Sequence, residues 1–268
     1  MKDLLLPDHY KKILVTGGLG FIGSALIRRL LKNTSAKIFN LDKISYSSDE
    51  SSINQIIKNN SEFSNRYTFF KMDLFRFEET NKLIRTIKPD LIFHLAAESH
   101  VDRSIDNPEN FIKSNIIGTY NLLEATIDFW KNTSAFKKEN FKFHHVSTDE
   151  VFGSLSKSGK FDESTPYDPR SPYSASKASS DHLVKAWHHT YGLPIILTNC
   201  SNNYGPYQFP EKLIPLTIIN CLLKKDIPLY GNGLNIRDWL YVEDHIDALL
   251  MVAINGKIGQ RYCIGGGK

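Results

Sequence analysis

Tyr173 and Lys177 stand four residues apart in Tyr-Ser-Ala-Ser-Lys, directly after Ser171-Pro172, which reads as the opening of a helix. Residues at this spacing share a helix face. An ammonium is thereby placed beside a phenol and favours the phenolate by opposite charge. Such a phenolate takes the proton of a hydroxyl while hydride leaves the same carbon. Upstream, Thr148-Asp149-Glu150 follows an apolar run. Adjacent carboxylates after a strand point in different directions, and in different surroundings one stays protonated as an acid while the other is ionised as a base. Read alone, the pair is equally an exposed acidic turn.

Near the start, Thr16-Gly17-Gly18-Leu19-Gly20-Phe21-Ile22-Gly23 satisfies both GxGxxG and GxxGxxG. Glycine permits a tight turn and a close approach of backbone to a pyrophosphate. The helix that follows offers free N–H groups and a partial positive charge. Asp42 comes about 20 positions after Gly23, where a carboxylate accepts hydrogen bonds from a ribose 2′-hydroxyl and repels a 2′-phosphate. The expected cofactor is therefore NAD rather than NADP. Asp73 follows the third candidate strand and suits either an adenine-side contact or a turn cap.

These groups need rigid elements to position them. Short runs rich in Ile, Val and Phe at 13–16, 37–41, 67–71, 91–95, 141–147 and 195–198 read as strands. Segments of helical period lie at 21–32, 77–87, 109–129 and 173–191. Continuous apolar strands are expected where helices cover both faces of a parallel sheet. The alternation predicts an α/β fold with a doubly wound parallel sheet. Residues 45–65 and 131–140 read as polar surface excursions, the first with a short helix at 53–58. Beyond residue 199, Pro206, Pro210 and Pro215 punctuate a loop-rich stretch before a helix at 216–223, a region suited to substrate contacts. The expected division is a cofactor-binding domain over 1–200, interleaved with part of 235–255, and a partial substrate-binding lobe over 201–268.

Composition narrows the function classes. The chain has 268 residues, 41% hydrophobic and 23% charged, enough for a large core without disulfides or a structural metal. Its net charge of +4 is scattered along the chain rather than gathered in a tract, which argues against nucleic-acid binding. Cys200, Cys221 and Cys263 are odd in number and lack CxxC spacing, as expected of a reducing, cytoplasmic compartment. No apolar run approaches membrane-spanning length, and the three leucines near the N-terminus are cut off by Pro7 and Asp8. Neither HExxH nor a Cys–His cluster occurs, and the pairs His144-His145 and His188-His189 face different ways, so no metal site is expected.

Taken together, the glycine turn and the Tyr173–Lys177 pair resemble the extended branch of the short-chain dehydrogenase/reductase superfamily. Thr148-Asp149-Glu150, the run from His94 to Ser104, the run from Asn199 to Leu213, Asn235-Ile236-Arg237-Asp238-Trp239 and Val242-Glu243-Asp244-His245 are similar to the dTDP-glucose 4,6-dehydratases within it. The resemblance implies that Tyr173, assisted by Lys177 and Thr148, removes the sugar 4-hydroxyl proton as hydride passes to NAD. It implies Glu150 as the base at C5 and Asp149 as the acid that protonates the departing 6-hydroxyl. Hydride then returns to C6. Phe21, Ile22, Asp42, Lys43, Asp73, Leu74, Ala96, Ala97, Ser114 and Asn203, with Gly17, Gly20 and Gly23, match cofactor-facing positions. Ser99, Thr148, Asn202, Lys212, Leu213, Tyr230 and Arg237 match positions facing the sugar or its diphosphate, and a guanidinium fork suits phosphate oxygens. The resemblance also implies dTDP-glucose as substrate, a role in dTDP-rhamnose-type deoxysugar synthesis, and a homodimer formed through two long helices, here 109–129 and 173–191.

The sequence departs from that pattern in two small ways: residues 47–52 lack the family's usual side chains, and Ser114 replaces a frequent threonine. The family's chains also run further than Lys268, so the small lobe is expected to be incomplete at its C-terminal side. Two other readings stay open: a non-catalytic NAD-binding remnant, and a related UDP-sugar dehydratase or epimerase. The Asp149–Glu150 pair argues against a simple epimerase, which needs neither a C5 base nor a leaving-group acid.

Overall fold

The computed structural model describes residues 6–155, 159–229 and 231–267. Among the described residues, nine strands alternate with helices: β1 (Lys12–Thr16), β2 (Lys37–Asp42), β3 (Tyr67–Lys71), β4 (Leu91–His94), β5 (Lys142–Thr148), β6 (Ile195–Cys200), β7 (Asn202–Tyr204), β8 (Trp239–Tyr241) and β9 (Arg261–Ile264). The helices are α1 (Phe21–Asn33), α2 (Ser51–Lys58), α3 (Ser61–Arg66), α4 (Phe77–Ile87), α5 (Val101–Asp106), α6 (Pro108–Phe111), α7 (Gly118–Lys131), α8 (Ala135–Asn140), α9 (Pro172–Tyr191), α10 (Leu213–Leu222) and α11 (Val242–Asn255).

Seven strands form one parallel sheet in the order β3-β2-β1-β4-β5-β6-β9, and β7 and β8 pair separately. Successive residues of a strand face opposite sides. In β1, Ile13 and Val15 join the core made with Leu26 and Leu30 of α1 and Ile246 and Leu249 of α11. Leu14 between them enters the opposite core with Leu122 and Leu123 of α7 and Val184 of α9. Both faces are covered, which explains the unbroken apolar strands and bears out the expected doubly wound sheet. The chain passes outward from β1 to β3 and then crosses to β4 on the other side of β1. The loops after β1 and β4 therefore diverge and leave a crevice at the carboxyl ends of the strands.

Three features differ from the sequence reading. The helix expected over 109–129 is α6 and α7 joined by a π-turn, Ile112–Ile117, in which the Gly118 N–H bonds to the Lys113 carbonyl five residues back. One extra residue in a turn leaves the apolar periodicity on either side intact, so the pattern does not reveal it. Residues 261–264, assigned to the lobe by sequence, form the edge strand of the main sheet beside β6, with α11 before them packed on α1. The short helix expected at 53–58 is α2, and beyond it the polar excursions carry two unexpected helices, α3 in the first and α8 in the second. Among the described residues no helix is long and apolar enough to cross a membrane.

Candidate active site

The crevice is a cleft of about 700 Å³. All the residues singled out by sequence line it except Asp149 and Tyr230. Tyr230 lies outside the described residues. Among the described residues no three His, Cys, Asp or Glu side chains converge as a metal requires.

The glycine turn forms one wall. Gly17 has φ +72, and a Cβ there would stand 2.7 Å from the Ala96 backbone, so the turns after β1 and β4 touch only because the residue is glycine. Gly20 precedes α1 with no side-chain cap, leaving the first-turn N–H groups for an anion. A Cβ on Gly20 would meet nothing but the Gly17 carbonyl, at 3.3 Å, so the surface above it is open. This cradle fits a dinucleotide pyrophosphate. The Asp42 carboxylate accepts from the Leu19 N–H at 3.0 Å, the Ile44 N–H at 2.8 Å and the Ser48 hydroxyl at 3.3 Å. It thus braces the glycine turn as well as facing the cleft. Burial pushes its pKa above the ordinary carboxylate value, against those three hydrogen bonds.

Across the switch point, Lys43 Nζ lies 2.6 Å from Glu98 and donates to the Ser114 hydroxyl at 2.8 Å. Asn115, missed in the sequence reading, is fully buried and holds this corner together. Its Oδ1 accepts from the Glu98 N–H at 2.8 Å, and its Nδ2 donates to the Glu98 carbonyl at 3.0 Å and the Ser176 hydroxyl at 2.8 Å. Both Ser114 and Asn115 lie in the π-turn.

The chemistry-bearing side chains come from the end of β5 and the start of α9. Ser171 caps α9 reciprocally with Ser174, and Pro172 takes the first turn, so the helix begins one residue before Tyr173. Tyr173 and Lys177 are both buried. The lysine-lowered phenol expected from their spacing is not what these side chains alone provide: Lys177 Nζ donates to the Val146 carbonyl at 3.0 Å. Burial first, and the Glu150 charge second, push the Tyr173 phenol well above its ordinary value, with the Thr148 hydroxyl acting the other way. Burial also lowers the Lys177 pKa.

Thr148 caps a single 3₁₀ turn, Asp149–Phe152, which sends the two acids apart. Glu150 faces the cleft, while the Asp149 carboxyl takes the Thr148 hydroxyl at 3.3 Å. Asp149 is pushed up to about 6, by burial first and by the Glu150 charge next. Burial raises Glu150 too, but Arg237 and Lys212 oppose the shift. The two carboxyls are thus set in different surroundings, one favouring the proton and one facing cations.

The remaining wall carries Ser99, Asn202, Asn203, Lys212, Leu213 and Arg237. Asn203 is fixed by a bond from its Nδ2 to the Ser201 carbonyl at 2.9 Å and by His245 Nδ1 against its Oδ1 at 2.8 Å.

A doubly wound sheet with a glycine cradle at its switch point and a buried Tyr–Lys pair on the following wall defines an extended short-chain dehydrogenase/reductase. The chain belongs to the GDP-mannose 4,6 dehydratase family, whose model matches residues 14–268. It is 54% identical over 264 residues to dTDP-glucose 4,6-dehydratase of Salmonella typhimurium, covering 95% of this chain and 72% of that one. Over 257 residues it is 53% identical to dTDP-glucose 4,6-dehydratase of Neisseria meningitidis serogroup B, covering 96% and 71%. The structure is similar to that of dTDP-glucose 4,6-dehydratase from Streptomyces venezuelae with NAD and dTDP bound. The TM-score is 0.86 and the identity 40%, over 96% of this chain and 76% of that one.

Proposed function

We infer that the protein is an NAD-dependent hydro-lyase that converts dTDP-glucose to dTDP-4-keto-6-deoxyglucose, feeding deoxysugar synthesis of the dTDP-rhamnose type. The observation that carries this reading is the divided Asp149–Glu150 pair, Glu150 facing the cleft with Tyr173 and Asp149 just behind its wall, in a chain whose relatives bear that name. Gly17, Gly20 and Gly23 would hold the NAD pyrophosphate, Asp42 the adenosine ribose, and Lys177 would serve the nicotinamide side; bound NAD would supply the acceptor of hydride from C4 of the sugar and its donor to C6.

Every other step belongs to the chain. Tyr173 takes the proton of the 4-hydroxyl as a phenolate, a form that the Lys177 ammonium and the positive charge of a bound nicotinamide would favour against burial and the Glu150 charge, with Thr148 beside it. The resulting ketone acidifies C5–H, and Glu150, whose ionised form Arg237 and Lys212 favour against burial, removes that proton. Asp149, raised to about 6, is the carboxyl of the pair that more readily holds a proton and delivers it to the departing 6-oxygen, turning about its Cα–Cβ bond to reach the cleft. Water leaves, Glu150 gives its proton back to C5 as hydride returns to C6, and the proton held by Tyr173 passes through solvent to restore Asp149, so that chain and cofactor end as they began. Lys212 and Arg237 serve the diphosphate as well, by charge and by bidentate hydrogen bonding.

In the domain division we favour, residues up to 200 together with α11 and β9 hold the cofactor, and the segment between β6 and α11 faces the sugar nucleotide. A cytoplasmic homodimer fits the three free cysteines and the exposed Ile105, Ile112, Ile117, Tyr120 and Tyr191 on the α5–α7 and α9 side; a monomeric mass in solution would refute the dimer. The deciding experiment is incubation of the chain with dTDP-glucose, scoring the 4-keto-6-deoxy product and bound NAD. Product confirms the reading. Bound NAD without product makes the chain a non-catalytic binding protein. Glu150→Gln should lower turnover about 10²- to 10⁴-fold; unchanged turnover would sink the elimination step.

A further inference from the structure

Behind the cleft lies a buried carboxylate that the reaction above does not use. Asp181 is 0% exposed and sits one helical turn after Lys177 on the same face of α9. Its Oδ1 lies 3.0 Å from His145 Nε2, which therefore carries the proton. Its Oδ2 accepts the Tyr167 hydroxyl at 2.9 Å and Asn199 Nδ2 at 3.2 Å. The same Asn199 amide donates to the Thr148 carbonyl at 2.9 Å. All three donors are neutral, and Lys177, itself only 4% exposed, donates to the Val146 carbonyl of the strand that carries His145 and Thr148. Asp181 is thus bonded to β5 directly through His145 and indirectly through Asn199, and it shares a helix face with the buried lysine.

We propose that Asp181 is a positioning residue. It supplies the counter-charge that keeps the Lys177 ammonium in a buried site, and through Asn199 it holds the end of β5 that presents Thr148, Asp149 and Glu150. The inference rests on the roles given above to Tyr173 and Lys177. A buried ammonium without a compensating anion gives up its proton, and a buried carboxylate without its cation costs stability. Burial lowers the Lys177 pKa, and Asp181 is the largest opposing influence. The other titratable groups facing Asp181 are His145 from β5, Tyr167 from the preceding loop and Lys185 farther along α9, with Arg261 of β9 stacked 5.0 Å from the Tyr167 ring. None of these replaces Lys177 on the cleft side.

Asp181→Asn in the full chain tests this, because the amide keeps the shape and much of the hydrogen bonding while removing the charge. NAD affinity is titrated from about pH 6 to about pH 10, spanning the loss of the lysine proton. Without the carboxylate the lysine loses its proton at lower pH. The alkaline fall in NAD affinity should therefore begin at lower pH in the variant, with affinity between the two midpoints weaker by about tenfold or more and the curves converging above both. With dTDP-glucose, kcat should fall more than KM changes, and its alkaline limb should shift the same way. A folded variant whose NAD affinity and alkaline limb stay within about twofold of the parent protein's overturns the proposal. If Asp181→Asn does not fold, Lys177→Met is compared with Lys177→Met/Asp181→Asn. The double variant should melt higher, since the lone buried carboxylate is gone, and a double variant melting no higher overturns the proposal. Should the parent protein make no product from dTDP-glucose, the substrate reading fails while the NAD titration still judges Asp181.

Discussion

Gly17 and Gly20 belong to the same turn, yet the structure gives them separable duties, and alanine at each should fail in a different assay. At Gly17 the backbone has φ +72, which costs an L-residue about 1–2 kcal/mol. The new Cβ would also stand 2.7 Å from the Ala96 Cα, about 0.8 Å inside carbon–carbon contact. The turns after β1 and β4 must part to admit it, and overpacking of this kind adds about 1–3 kcal/mol. Gly17→Ala should therefore lose about 2–5 kcal/mol of stability in the cofactor-free protein. Gly20 has φ −74 and an open surface above it. Gly20→Ala should leave the cofactor-free melting temperature within a degree or two, but its methyl group occupies the place where a pyrophosphate meets the N–H groups of α1. Losing one charge-assisted hydrogen bond there costs about 1.5–3 kcal/mol, or about 10- to 100-fold in NAD affinity. Thermal melting without cofactor and calorimetric NAD titration read the two effects separately. A Gly17→Ala protein that melts like the parent, or a Gly20→Ala protein that binds NAD as tightly as the parent, would refute the division of labour.

Three further perturbations follow from the same geometry. Asp149 has a pKa of about 6 against an ordinary 3.8, so its ionisation penalises the folded state fully above about pH 6 and not below about pH 4. Asp149→Asn should accordingly raise stability by about 2–3 kcal/mol near pH 8 and by nothing near pH 4, which melting curves at the two pH values will check. Arg237→Ala should raise KM for the sugar nucleotide about 10- to 100-fold. Because Arg237 holds the Glu150 pKa down, its loss should also move the acid limb of kcat to higher pH, and an unmoved limb would count against Glu150 as the base. Asn115→Ala strands the Glu98 backbone groups and the Ser176 hydroxyl, and urea denaturation should show a loss of about 2–4 kcal/mol; a loss below about 1 kcal/mol would mean that the corner is held by other contacts.

Strands β1 to β6 were legible within a residue or two: helices bury both faces of β1, β2, β4, β5 and β6, which demands their Ile, Val and Phe runs, and the edge strand β3, with no fully buried residue, still carries Tyr67, Phe69 and Phe70 packed partly against the two cores. The edge strand β9 gives no such signal: it has four half-buried residues, Arg, Tyr, Cys and Ile. The glycine spacing and Asp42 pointed to the cleft through local backbone chemistry. The π-turn left no trace in the periodicity, so Asn115 was hidden in what reads as ordinary helix. Four-residue spacing placed Tyr173 and Lys177 on one helix face, but only the tertiary packing directs the lysine to the Val146 carbonyl. In the same way, the distinction between Asp149 and Glu150 comes from burial and from Arg237 and Lys212, far along the chain, as well as from the charge of the adjacent Glu150 on Asp149.

The edge position of β9 bears on how the enzyme is made. Residues of the glycine turn, Asp42 and Asp73 leave the ribosome long before Thr148 or Tyr173, so a nascent chain gains the parts that grip a dinucleotide ahead of those that do chemistry. Yet β6 stays an open parallel edge until Arg261–Ile264 arrives, some 60 residues later, to pair with Leu197–Cys200. Parallel pairings over such separations form slowly, and exposed edges invite association with other chains. A dinucleotide captured early would favour the compact form by mass action during that interval. The cofactor would then serve first as a folding partner, before it takes any part in turnover.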